Sequence, residues 1–116
     1  MSATSRSAVT THVLDSSRGL PAAGIAVALE RATDNGWSRV GEAVTDDDGR
    51  VGQLGPSRLD AGTYRLTFET GDYFRRLNVD SFYPQVQIAF HLADPEQHYH
   101  VPLLLSPFAY STYRGS

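Results

Sequence analysis

The chain has 116 residues, of which 41% are hydrophobic and 20% are charged, and its formal net charge is -3. This length suits one compact domain and leaves too little chain for two. The 10 lysine and arginine residues are spread among 13 acidic ones, so no basic stripe argues for a nucleic-acid partner. Because the chain has no cysteine, disulfides and thiolate metal sites are excluded.

Apart from Met1 the first seven residues are small or polar, and we expect residues 1–7 to be disordered ahead of a single domain over residues 8–116. They lack the apolar segment of a secretion signal, and no apolar stretch approaches the length of a membrane span. The sequence therefore predicts a soluble, cytoplasmic protein without a membrane partner.

Period-two alternation of apolar and polar residues predicts strands along most of the chain. The residues from Asp34 to Gly36 form a turn signal that should join two of these strands as a hairpin. Between the strands, Phe74 and Leu77 are three residues apart behind a possible Thr70 cap, which predicts one short helix over 71–78. We predict an all-β fold, an antiparallel β-sandwich of seven to eight strands with one short helix. The predicted strands are 9–14, 25–30, 37–44, 64–69, 86–92, 99–103 and 109–114.

Three histidines are candidates for chemistry on the polar faces of these strands. His12 alternates with the apolar residues of the first strand, whereas His98 and His100 are two apart and share one face of a later strand. The pair His98 and His100 could bind zinc, as could His91 nearby in sequence, but the spacing does not specify the third ligand that zinc normally requires. Proton transfer near neutral pH uses the same residues without a metal. A structural or surface role for each histidine also remains open.

Arg50 ends an acidic run that continues through Asp48 and Gly49. The run resembles the start of a calcium loop, but the glutamate that would close such a loop is absent at the required spacing. It is more typical of an Asp-Gly turn that leads into a short strand. Such a turn would project Arg50 from a defined position.

The chain ends with Tyr113, Arg114, Gly115 and Ser116, directly after a predicted strand. These residues combine a phenol, a permanent cation, a flexible glycine and a hydroxyl beside the terminal carboxylate. A loose domain end needs none of this chemistry, although a solvated polar end would look the same. We therefore expect the tail to contribute to a functional site.

Five segments in order along the chain resemble the 5-hydroxyisourate hydrolases, the transthyretin-related enzymes of purine catabolism. They are 11–15, 19–24, 48–50, 98–107 and the terminal 113–116. Transthyretins, the hormone carriers that share the fold, lack the terminal tetrapeptide and the histidine pattern. Ala109 departs from the glycine or serine that is usual in the family, at a position that only packs the backbone.

The resemblance implies a transthyretin-like sandwich that hydrolyses 5-hydroxyisourate, a purine-derived small molecule, to 2-oxo-4-hydroxy-4-carboxy-5-ureidoimidazoline. It also implies a homotetramer, a dimer of dimers, with active sites in the channel between the dimers and with no metal or cofactor. Its catalytic residues would be His12, Arg50, His100 and Ser116, and its substrate-binding residues would be His98, Tyr113, Arg114 and Gly115.

Two questions remain open at this stage. Either His12 or His100 could take the proton from water, and His98 could act through another residue or be structural. The competing hypothesis is a transthyretin-like carrier of a small ligand, which should line its channel with apolar side chains.

Overall fold

The computed structural model describes residues 6–116, which form two sheets and one helix. The first sheet has the order β2-β1-β8-β9, and β5 pairs with β1 beside β2. The second sheet has the order β4-β3-β6-β7. In chain order the elements are β1 (Val9–Asp15), β2 (Leu20–Pro21), β3 (Ala26–Thr33), β4 (Gly36–Val44), β5 (Arg50–Val51), β6 (Gly62–Phe68), α1 (Thr70–Arg76), β7 (Val86–Leu92), β8 (Tyr99–Leu105) and β9 (Tyr110–Thr112).

One hydrophobic core lies between the two sheets, and alternation along each strand supplies it. In β3, Val27 and Leu29 are buried, and in β6 Tyr64, Leu66 and Phe68 are buried. The first sheet contributes side chains such as Val9, Val13 and Leu103 to the same cluster. A residue that faces the core alternates with one that faces outward, so the outer face of each sheet is free for polar side chains. The predicted sandwich is thereby confirmed.

The structure differs from the prediction in strand number and in one strand direction. Nine strands occur among residues 6–116, because β2 and β5 are two-residue strands that are too short to show a period in the sequence. All pairs are antiparallel except β1 with β8, which run parallel over seven residue pairs. Between β1 and β8 the chain forms all four strands of the second sheet, so no hairpin turn dictates the relative direction of β1 and β8.

The short helix is present, but the predicted Thr70 cap is wrong. The helix is capped by Glu69, and no side chain caps it by a hydrogen bond. The Thr70 hydroxyl is buried without a hydrogen-bond partner. No helix within residues 6–116 has the length and apolar character needed to cross a membrane.

Most of the segment predicted to be disordered, residues 1–5, lies outside the described residues. Ser7 is in the described part and is 2% exposed. Its hydroxyl donates to the Val9 carbonyl oxygen at 2.6 Å and accepts a hydrogen bond from the Leu54 N–H at 2.9 Å. Ordered packing therefore begins before residue 8.

A hydrogen-bonded turn places Arg50 at the start of β5, as the sequence predicted. The Asp46 carboxylate accepts hydrogen bonds from the N–H groups of Asp48 and Arg50, each at 2.9 Å. Gly49 has a φ of +76°, which a residue with a side chain rarely adopts. Its carbonyl accepts a hydrogen bond from the Val13 N–H at 2.8 Å, so the turn is tied to β1.

Replacing Gly49 by alanine should destabilise the protein, because the added Cβ would lie 2.3 Å from the Val13 carbonyl oxygen in an already strained backbone. We expect the free energy of unfolding to fall by about 2–4 kcal/mol. Gly19→Ala is the matched control, since Gly19 has a φ of +69° but no atom within 4 Å of the added Cβ. Urea unfolding followed by circular dichroism would measure both variants, and equal losses would contradict this account of the turn.

Candidate active site

A cavity of about 260 Å³ opens on the outer face of the first sheet, where β1, β5 and β8 meet the end of the chain. It collects residues that are far apart in the sequence, including two histidines, two arginines and the last residue. The lining residues are Arg6, Thr10, Thr11, Arg50, Val51, Gly52, His98, His100 and Ser116. Four of the residues predicted for the site, Arg50, His98, His100 and Ser116, therefore share one cavity.

Strand register brings these side chains together. The parallel pairing of β1 with β8 places Thr10 opposite His100, and the antiparallel pairing of β1 with β5 places His12 opposite Arg50. Neighbouring strands are roughly 5 Å apart, so groups at matched positions on one face lie within contact range of one another. A shift of one residue in either pair would turn one of the partners toward the core.

The buried hydroxyl of Thr10 joins the two cavity histidines. Its Oγ1 lies 2.8 Å from His98 Nε2 and 2.8 Å from His100 Nδ1. Thr10 is only 7% exposed, so water competes little for these hydrogen bonds. The two imidazoles are thus held in fixed orientations by one shared group.

The carboxyl-terminal residues are docked on β8. The Gly115 N–H donates to the His100 carbonyl oxygen at 2.8 Å, and the two residues form an isolated antiparallel bridge. A Cβ on Gly115 would lie 2.7 Å from His100 Cδ2, so only glycine lets the tail pass this close to the imidazole. This contact explains Gly115 at that position and sets Ser116 beside the histidines.

Tyr113 and Arg114 do not reach this cavity within the chain. The Arg114 guanidinium lies 4.5 Å from the centre of the Tyr99 ring and donates to Gln97 Oε1 at 2.8 Å. Both residues line a separate groove between β7 and the β8–β9 pair, with Ile88 among the other residues there.

His12 lies beside the cavity and does not line it. It is half-buried on β1, two residues from Thr10 on the same face. Its charge lowers the pKa of His100, so the two imidazoles interact electrostatically. His91 lies instead on β7 in the other sheet, with its Nδ1 3.4 Å from the Thr63 hydroxyl. It is therefore not the third ligand of a zinc site with His98 and His100.

Sequence reasoning missed Arg6 and Thr10. Arg6 fell in the segment expected to be disordered, and a lone arginine there carried no signal. Thr10 did carry one, because alternation along β1 puts it on the face of His12. Its role was hidden because the partners, His98 and His100, are about ninety residues away in the chain.

The electrostatics of the cavity lower the pKa values of both histidines, which favours their neutral forms. Burial lowers the pKa of His100 from its ordinary 6.5, and the charges of Arg50, His12 and Arg6 lower it further. Burial also lowers the pKa of His98, with Arg6 and His100 as further causes, while a hydrogen bond with the Ser7 backbone opposes this shift. Among residues 6–116, no three histidine or acidic side chains are grouped to hold a metal ion.

The two arginines should have separable effects on these titrations. Replacing Arg50 by glutamine should raise the pKa of His100 and leave that of His98 nearly unchanged, because only His100 is lowered by the charge of Arg50. Replacing Arg6 by glutamine should raise both pKa values. Histidine-resolved NMR titration of the protein and the two variants would measure them, and a midpoint for His100 above 6.5 in the unsubstituted protein would contradict this description.

Comparisons with known proteins support one family. The 5-hydroxyisourate hydrolase of Salmonella dublin is 48% identical over 106 residues, which cover 90% of this chain and 78% of that protein. The structure of Klebsiella pneumoniae 5-hydroxyisourate hydrolase superposes with a TM-score of 0.83 at 39% identity, covering 93% of this chain and 92% of the other. Sea bream transthyretin, solved in complex with thyroxine, superposes with a TM-score of 0.84 at 32% identity, covering 92% and 93%.

The model of the HIUase/Transthyretin family matches residues 9–115, a range that contains all nine strands of the described chain and most of the cavity lining. This agreement confirms the resemblance seen in the sequence segments. The chain belongs to the HIUase/Transthyretin family.

Proposed function

We propose that this protein hydrolyses 5-hydroxyisourate to 2-oxo-4-hydroxy-4-carboxy-5-ureidoimidazoline. The observation that carries the proposal is the cavity in which His98, His100, Arg50 and Ser116 meet. The relatives named 5-hydroxyisourate hydrolase in Salmonella and Klebsiella supply the substrate. The cavity supplies the groups that a hydrolysis of a cyclic acyl compound requires.

The reaction needs a base and a stabiliser of negative charge. A water oxygen forms a bond to the ring acyl carbon while the water proton moves to an imidazole, His12 or His100. The carbon–nitrogen bond of the ring then breaks, and the leaving nitrogen takes a proton back from the imidazolium. The lowered pKa of His100 favours its neutral, proton-accepting form.

The guanidinium of Arg50 is the group suited to the developing charge. It is permanently protonated, and its planar fork matches the oxygen atoms of an oxygen-rich planar substrate. The turn that begins at Asp46 holds its backbone, so the cation is positioned before the substrate arrives. Ser116 would orient the water or an imidazole through its hydroxyl or its terminal carboxylate. No acyl-enzyme is required.

Substitutions in the cavity should separate catalysis from folding. Changing His12 or His100 to asparagine, or Arg50 to glutamine, should lower kcat/KM by on the order of 10²–10⁴-fold without loss of the fold. Deleting residues 114–116 should do the same, because Ser116 is removed and the His100 ring loses its cover. The measurement is the decay of ultraviolet absorbance of freshly made 5-hydroxyisourate, compared with the spontaneous rate.

Arg39→Gln is a matched control, because Arg39 is an exposed arginine on β4 whose partner is Glu42. This variant should keep full activity. A decay no faster than the spontaneous one with the unsubstituted protein would remove the enzyme assignment. Full activity after deletion of the tail would refute the role given to Ser116.

We also propose that the protein assembles as a homotetramer, a dimer of dimers. In the described chain β7 and β9 each pair with one neighbour only, so each has an edge free for pairing. The groove between them is lined by Ile88, Phe90 and Tyr113. Phe82 is 67% exposed near these edges, and such apolar surface is typical of an interface. In this assembly Tyr113 and Arg114 would reach substrate only across subunits.

Sedimentation equilibrium should give four times the mass of one chain. Introducing a charge by Phe82→Lys, at an apolar position that is 67% exposed in the single chain, should shift the mass toward that of smaller species because it opposes apolar packing between copies. Val44→Lys, at an exposed position on β4, is the control and should leave the mass unchanged. A monomer at all concentrations would contradict the tetramer.

A transthyretin-like carrier is the second candidate, because the thyroxine-bound sea bream protein shares the fold at 32% identity. A carrier should present an apolar channel, whereas this face presents two arginines and two histidines. Tight thyroxine binding by calorimetry without turnover of 5-hydroxyisourate would favour the carrier. A cytoplasmic location remains a prediction, which fractionation of the source cells would test.

A further inference from the structure

The Thr10 hydroxyl imposes a relation between the protons of two histidines. It has one hydrogen and so can donate to only one of the two ring nitrogens that lie 2.8 Å away, His98 Nε2 and His100 Nδ1. At the other nitrogen it must accept a hydrogen bond. The oxygen can accept twice, so when both rings are neutral at least one of them presents an N–H to Thr10.

Thr10 faces Nδ1 of His100, so the proposed proton uptake on the opposite side of that ring requires the arrangement in which His100 donates to Thr10 and Thr10 donates to His98 Nε2, and the far side of His98 supports it. The Ser7 N–H already donates to the Gly52 carbonyl oxygen at 3.0 Å, so the Ser7 carbonyl is the backbone group left for His98. Hydrogen bonding between His98 and the Ser7 backbone raises the pKa of His98, which is the effect of a carbonyl that accepts from the ring and not of an N–H that donates to it. Since His98 Nε2 faces Thr10, the nitrogen that donates to Ser7 is Nδ1.

The positions of the remaining protons follow from the position of the His98 proton. Neutral His98 with its proton on Nδ1 has a lone pair on Nε2, so Thr10 donates there. Thr10 then accepts from His100, whose proton must be on Nδ1. The lone pair of His100 is then on Nε2, the ring nitrogen that makes no hydrogen bond with Thr10.

We infer that Thr10 and His98 are positioning residues that hold His100 with its proton on Nδ1 and with an unprotonated Nε2 available to the cavity. The inference rests on the proposed function and deepens it, because it selects His100 over His12 as the proton acceptor. The chain of hydrogen bonds plays the part that a buried orienting group plays for any catalytic histidine: it fixes the tautomer and the ring plane.

The charges around His100 suit this assignment. Arg50 and Arg6 place two guanidinium groups near the ring, and Ser116 lines the same cavity. A proton taken up on Nε2 creates an imidazolium beside two guanidinium groups, where it is destabilised. The acquired proton is then readily passed to the leaving nitrogen. The Nδ1 proton stays on His100 throughout, in its hydrogen bond to the Thr10 hydroxyl oxygen.

Imidazole nitrogen NMR of the substrate-free protein tests the inference directly. With histidine labelled by nitrogen-15, His100 should show a protonated Nδ1 and an unprotonated Nε2 at a pH above its titration. His98 should show the same pattern. A protonated Nε2 on His100 would overturn the inference, whether or not the protein hydrolyses 5-hydroxyisourate. The predicted tautomers without any hydrolysis would instead refute the proposed function alone.

Variants provide a second test. Thr10→Val removes the hydroxyl at nearly constant shape and should mix the two tautomers of His100 while lowering kcat by on the order of tenfold or more, with KM little changed. Thr10→Ser should restore both. His98→Phe should move the His100 proton toward Nε2, because Thr10 then has only His100 to receive its hydrogen. Unchanged His100 spectra and kcat in folded Thr10→Val and His98→Phe would overturn the inference.

Thr63→Val is the matched control for these variants. It removes the hydroxyl that lies beside His91 on the other sheet, away from the cavity. The His100 spectrum and kcat should both be unchanged in this variant. A change equal to that of Thr10→Val would show that loss of any strand threonine perturbs the site, and would count against the positioning role.

Discussion

The parallel pairing of β1 with β8 is the interaction on which the site depends. Its register runs unbroken over seven residue pairs and puts Thr10 opposite His100. The same alternation buries Val9 and Val13 on the inner face, so the hydrophobic core holds the register that the polar face uses. Because a slip of one residue would expose that core, the fold's own stability protects the alignment of the hydroxyl with the imidazole. The geometry of the site and the packing of the core thus depend on the register of the same two strands.

Electrostatics in the cavity balances two requirements. Burial and the nearby Arg50 lower the pKa of His100, which keeps the ring able to accept a proton near neutral pH but makes it a weaker base. In the proposed reaction the same guanidinium would offset the negative charge that develops on the substrate oxygen, so the weaker base would meet a stabilised transition state. Arg6 adds to this field from a position outside the sheet, where the chain approaches β1. The pKa of His100 thus depends on the guanidinium groups of Arg50 and Arg6, which lie near its imidazole and repel a proton on it.

The same sandwich serves different chemistry in relatives of this family. A thyroxine-bound transthyretin superposes with a TM-score of 0.84, nearly the value found for a 5-hydroxyisourate hydrolase. Backbone likeness alone therefore does not distinguish a carrier from an enzyme. The distinction must lie in the side chains on the outer face of the first sheet. There this chain places His98 and His100 about a buried threonine and closes the group with its own carboxyl end, bound through Gly115.

The sequence by itself determined the sandwich, the hairpin at Asp34–Gly36, the turn before Arg50 and the residues that belong to the polar face. These follow from local periodicity and turn chemistry, which act within a few residues. Only the tertiary structure decided that β1 and β8 run parallel, that β2 and β5 exist, and that Thr10 joins two histidines. It also places Arg114 in a different groove from Ser116, although the sequence predicts that residues 113–116 contribute to the same site. Contacts between residues about ninety positions apart depend on strand order and register, and no local pattern records those.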